Sequence, residues 1–116
     1  MSDQTYNLID LATQQRDDAI SFFLKGGFDS ALRLAAAADE ILRKALSDNG
    51  KNSFQWEYLP SIVTEAEDVA QWMIVRACRN CDLLGLPRTA EMREFDNWFY
   101  KHVVGPADSP EVSYEY

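Results

Sequence analysis

Few residues of this chain could do chemistry. It holds one histidine, His102, and two cysteines, Cys78 and Cys81. Nucleophilic catalysis of the Ser/His/Asp or Cys/His kind needs an imidazole beside the nucleophile. His102 is the single candidate base, and its place in the last turn of a helix suits compensation of the helix dipole better than catalysis. Cys78-Arg79-Asn80-Cys81 has C-x-x-C spacing, but zinc asks for about four ligands and no second cysteine pair or histidine cluster completes the shell. The pair lies in an apolar helical run without the strand–helix context of a redox motif, so both cysteines read as small core residues.

The acidic residues give little more. A di-metal bundle needs Glu-x-x-His pairs, and the sequence contains none. Gly26-Gly27 stands alone and makes no phosphate loop. Neither a metal nor a cofactor is expected. Asp39-Glu40 directly follows four alanines, Ala35 to Ala38, and Asp39 could approach a helix seam there. Arg43 and Lys44 lie at helical spacing from it, so a solvated acidic pair is the expectation.

Four amphipathic helices position these groups. The first runs from about Thr5 to Lys25, with apolar residues at Leu8, Ile9, Leu11, Ala12, Ala19, Ile20, Phe23 and Leu24, and Gly26-Gly27 ends it. Asp29 or Ser30 is expected to cap the second, which carries Ala31, Leu34, Ala35, Ala38, Ile41, Leu42 and Ala45 up to Asp48-Asn49-Gly50. The third spans about 60–84, opened by Pro60 and closed by Gly85 and Pro87. Its charges follow the macrodipole, with Glu65, Glu67 and Asp68 early and Arg76 and Arg79 late. Thr89 caps the fourth, which bears Met92, Phe95, Trp98, Phe99 and Val103 and stops at Gly105-Pro106.

Residues 49–59 form the longest connection and put Phe54, Trp56 and Tyr58 at alternate positions, one side of an extended segment. A lid over one end of the core is the first expectation and a ligand or partner platform the second. The predicted fold is all-α: an antiparallel four-helix up-and-down bundle over 1–105, with this aromatic loop between the second and third helices and a loose acidic tail over 106–116.

A chain of 116 residues with 47% hydrophobic and 26% charged residues fits one ordinary globular domain. The formal charge of -8 argues against a general nucleic-acid surface. Residues 1–24 and 103–116 carry most of the acidity. Met1-Ser2-Asp3-Gln4 has neither a basic nor an apolar leader region, and no run approaches a membrane span. A cytoplasmic location is the expectation, and two cysteines three positions apart fit a reducing compartment.

The third helix is the most informative element. Eight of the ten residues from Val69 to Cys78 are apolar. Ala70, Met73, Ala77 and Cys81 can face the bundle while Trp72 and Val75 point elsewhere. Such a helix is usually covered on all sides. Either this chain supplies the cover or a second copy does, most simply as a two-fold dimer.

Phe28-Asp29-Ser30-Ala31 leading into Ala36-Ala37-Ala38-Asp39-Glu40-Ile41-Leu42-Arg43-Lys44 resembles the second helix of the HEPN superfamily, and Arg79-Asn80 near the end of the third helix adds to the resemblance. The family consists of small four-helix bundles, often dimers, found beside prokaryotic toxin–antitoxin and defence systems. In its catalytic members an Arg, often followed by a polar residue such as Asn, is separated from a His by four to six residues, and the pair cuts RNA at the dimer interface. Here those positions read Leu84, Gly85 and Leu86, so the ribonuclease motif is incomplete.

Three function classes follow. The leading one is a non-catalytic interaction module, a homodimer working through Trp72, Val75, Arg76, Arg79 and the aromatic loop residues Phe54, Trp56 and Tyr58. The second is an HEPN-like ribonuclease using Arg79, Asn80 and His102, with Asp82 nearby. The third is a small-ligand or nucleotide binder with Trp56 or Tyr58 stacking on its ligand.

Overall fold

The computed structural model describes residues 3–53 and 65–104, and the side chains of 8–53 and 65–102 within them. The aromatic loop residues Phe54, Trp56 and Tyr58, the Pro60 start expected for the third helix, the Gly105-Pro106 stop and the acidic tail all lie outside the described residues.

The described residues form four α-helices: α1 (Asp3–Leu24), α2 (Phe28–Asp48), α3 (Ala66–Leu83) and α4 (Ala90–Phe99). A π-helical turn over Tyr100–Val104 extends α4. The all-helical class expected from the periodicity is what the structure has. No helix among the described residues is long and apolar enough to cross a membrane.

On α1 the buried residues are Ala12, Arg16, Ala19, Ile20 and Phe23, a single helical face at steps of three and four. Gly26, at φ +91, makes the turn that lets α2 begin with only three residues between it and α1. The second helix starts two or three residues earlier than expected. Gly27 is its N-cap, without a side-chain hydrogen bond, so neither Asp29 nor Ser30 caps it. Thr89 does cap α4, where its hydroxyl accepts from the Met92 amide at 3.2 Å.

Among the described residues, two hydrophobic clusters make the core. The larger gathers Ile20 and Phe23 of α1, Ala31 and Ala35 of α2, Ala70, Ile74 and Val75 of α3, and Met92 and Phe95 of α4. The smaller joins Ala12, Ala38, Leu42, Ala77 and Cys81. Alanines fill much of the contact between α1, α2 and α3, and such small side chains let helix axes come close.

The helix directions depart from a simple alternation. Phe23 and Phe28 flank the first turn with ring centroids 5.3 Å apart, and at the other end Leu8 and Ile9 share a small apolar hollow with Ile41 and Ala45, so α1 and α2 run in opposite senses. Asp39, midway along α2, binds Arg76 and Asn80 of α3, and Lys51, just past the end of α2, reaches the carbonyl of Leu83 at the end of α3 at 3.5 Å. The C-terminal ends of α2 and α3 therefore lie together and these two helices run in the same sense. Arg88 bridges Asp82 and Asp96 while Phe99 packs on Trp72, so α4 returns against α3. The order is two hairpins laid side by side, and the expected up-and-down alternation fails between α2 and α3. A helix of 18 residues spans about 27 Å. The connection over 49–65 can reach about twice that at up to ~3.3 Å per residue, so the chain can return to start α3.

Candidate functional site

The chemistry of the described residues gathers along α3 in three polar groups. The first surrounds Asp39, which is fully buried. Its Oδ2 accepts from Arg43 Nε at 3.0 Å and from Arg76 Nε at 2.7 Å, and its Oδ1 accepts from Asn80 Nδ2 at 2.7 Å. The expectation of a solvated acidic pair is thus wrong for Asp39 and right for Glu40, which is exposed. The spacing to Arg43 was legible as an i,i+4 pair. Arg76 and Asn80 were not, because tertiary folding alone brings α3 to α2. A buried carboxylate with three donors is satisfied, and it receives two cations for its single negative charge.

The second group is Arg16 of α1, 1% exposed. Its Nε donates to Asp17 Oδ1 at 3.0 Å and its Nη1 to Cys81 Sγ at 3.0 Å. Nη2 also lies 3.0 Å from Asp17 Oδ1 but off the hydrogen-bond direction, so that contact is an ion pair only. Thr89 donates to the same Asp17 oxygen at 2.9 Å and ties the start of α4 to α1. Sequence reasoning missed Arg16. The one available signal was a basic residue on the apolar face of α1, at i+4 from Ala12 and i−4 from Ile20.

Cys78 and Cys81 are free and buried, as expected of core residues. Burial is the main cause that pushes the Cys78 thiol up to about 12. It pushes Cys81 up as well, with Arg16 opposing in part. A thiol held protonated is a poor nucleophile. No group of three or more potential metal-ligating His, Cys, Asp or Glu residues exists among the described residues.

The third group is the Asp82–Arg88–Asp96 bridge at the α3–α4 turn, with contacts of 2.8 and 2.6 Å. Arg79 is exposed and shares a shallow hollow of about 80 Å³ with Val75, Cys78, Asp82, Arg88, Phe95, Asp96 and Phe99. His102 is exposed on the π-helical turn, its Nδ1 2.9 Å from the Trp98 carbonyl and its ring stacked on Trp98 at 4.7 Å. Of the residues considered for a ribonuclease, Asn80 is buried against Asp39, Arg79 faces solvent and His102 faces its own helix.

Comparison with protein-family models, with curated proteins and with solved structures finds no match to this chain.

The cover of α3 comes from this chain. Val75 is buried beside Phe95, and the half-buried Trp72 meets Phe99 edge-on with centroids 5.6 Å apart. Arg76 is largely enclosed in its pair with Asp39. Among the described residues, the large apolar side chains left facing water are Leu8, Leu11, Phe22 and Leu24 on α1, Leu83 at the last residue of α3, and Tyr100.

Proposed function

We propose that the protein is a non-catalytic helical interaction module that pairs with a second copy of itself, through the outer flank of α1 in place of α3. The observation that carries this reading is a stripe at Leu8, Leu11, Gln15, Asp18 and Phe22, spaced three and four residues apart on one side of α1. Leu8, Leu11 and Phe22 stand 42%, 45% and 44% exposed. Alternating steps of three and four are the spacing by which two helices interlock side chains.

The stripe also fits a copy of itself. Leu8 and Phe22 lie equally far on either side of Gln15, so a two-fold axis through Gln15 sets Leu8 of one protomer opposite Phe22 of the other. Isologous contacts of this kind are the commonest in oligomers. Asp18 lies within the stripe and the chain carries a net charge of -8, so the pair is stronger at high salt, where repulsion is screened.

Of the HEPN-like resemblance, this reading keeps the dimer and the link to prokaryotic toxin–antitoxin or defence systems, and leaves the ribonuclease aside. The test is sedimentation velocity over a concentration series at low and high salt. The wild type is expected to shift to dimer, and Leu11→Glu or Phe22→Glu to remain monomeric with unchanged helical content. A wild type that stays monomeric at the highest attainable concentration removes the proposal.

A further inference from the structure

The C-terminal half of α2 and the residues after it border an open hollow of about 750 Å³, lined by Glu40, Arg43, Lys44, Ser47, Lys51, Asn52 and Ser53. Three of these are cations and one is an acid, in a chain that is otherwise strongly acidic. The volume lies in the range of small-molecule sites, and every described lining residue is polar, which favours a polar ligand.

Of the described lining residues, Arg43 is held in place by Asp39, which also binds Arg76; neither Asp39 nor Arg76 is itself part of the lining. Arg43 and Arg76 both donate through Nε to one oxygen, Asp39 Oδ2. Their Nε atoms are therefore no more than about 6 Å apart, a range over which like charges repel appreciably when partly buried. Asp39 is fully enclosed and neutralises only one of them. Using Nε for this bond fixes each guanidinium plane and leaves its two Nη groups to other acceptors, the fork that matches phosphate oxygens. Arg43 remains 40% and Arg76 25% exposed, so solvent reaches both. Beyond Arg43 the walls supply Lys44 and Lys51 as further cations and Ser47, Asn52 and Ser53 as neutral donors. Carbonyls at the α2 and α3 C-termini repel anions, and Lys51 is engaged with one of them.

We propose that this hollow binds a small phosphorylated metabolite carrying at least two phosphate charges, with Arg43, oriented by Asp39 beside Arg76, as its principal contact and Lys51 as its second. The net charge of -8 works against long nucleic acids, whereas a small polyanion can use the local surplus. Glu40 is the one carboxylate among the described lining residues and weakens binding of the bare anion.

Titration calorimetry with inorganic pyrophosphate tests this, with ATP as a second arm that reports whether a nucleoside adds to the phosphate contact. Saturable one-to-one binding is expected. Arg43→Gln should weaken it about tenfold or more, as loss of a charge-assisted bidentate contact does. Lys51→Gln should weaken it severalfold and Glu40→Gln strengthen it, while Lys25→Gln, exposed in the turn at the opposite end of α2, leaves it unchanged. ATP binding more tightly than pyrophosphate identifies a nucleotide; equal binding identifies the phosphate chain alone. Lys51 and Glu40 are exposed, so their variants carry the test if Arg43→Gln fails to fold. Absence of saturable binding to either probe, or binding indifferent to Lys51 and Glu40, overturns the proposal.

Discussion

Replacing Asp39 by Asn keeps the shape of the side chain and removes its charge. In the native protein Asp39 accepts three hydrogen bonds, from Arg43, Arg76 and Asn80. An amide has one acceptor oxygen, so whichever way it turns, its NH2 group meets a donor on the other side. Hydrogen bonds to charged groups contribute about 1.5–3 kcal/mol each. Arg43 and Arg76 are partly exposed and regain water, which discounts their share. Asn80 is fully buried and regains none. The net loss should be about 2–4 kcal/mol, a large part of the ~5–15 kcal/mol that holds a domain together. At about 4 °C per kcal/mol for a chain of this size, Tm falls by roughly 8–16 °C. Urea unfolding followed by circular dichroism gives the free energy, and thermal melts give the shift. Asp39→Asn combined with Asn80→Asp returns a carboxylate to the same cluster and should recover part of the loss. A single variant within about 0.5 kcal/mol of the wild type, the range of ordinary surface changes, would refute the view that Asp39 ties α2 to α3.

Two further outcomes follow from other contacts. Thr89→Ala deletes both the cap on the Met92 amide and the bond to Asp17, and should cost about 1–2 kcal/mol with faster hydrogen exchange at Met92; unchanged exchange there would show that α4 does not depend on its cap. Cys78 has its folded pKa raised from 9.0 to about 12, so the folded state holds a proton that the unfolded chain gives up. Its contribution is fully present below pH 9 and is lost as pH rises from there towards 12, at up to about 1.4 kcal/mol per pH unit. Cys78→Ala should flatten that alkaline decline in urea-unfolding stability, and an identical slope in the variant would sink the assignment.

Much of this was legible in the residues, for reasons that are local. Helical spacing marks the buried faces, and a positive φ at Gly26, Gly50 and Gly85 falls where glycine follows the end of a helical pattern. The Thr89 cap was legible because a hydroxyl two or three residues ahead of a free amide needs nothing else. The α2 cap was misread because Asp29 and Ser30 have the right chemistry, but the tight turn already places Phe28 in the helix.

What sequence determined by itself was the all-helical class, the stops of α1, α2 and α3 near a glycine, and the excess of apolar surface on α3. Tertiary structure alone decided what meets that surface. The apolar excess on α3 is the same whether a second chain or Phe95 and Phe99 covers it, since burial has no address in periodicity. The partners of Asp39 also depended on direction. An i,i+4 pair with Arg43 exists in any α2 helix, but Arg76 and Asn80 reach it only because α3 runs alongside α2 in the same sense. Helix direction is set by how the connections let whole faces pack, a property of the assembled core that no single segment carries.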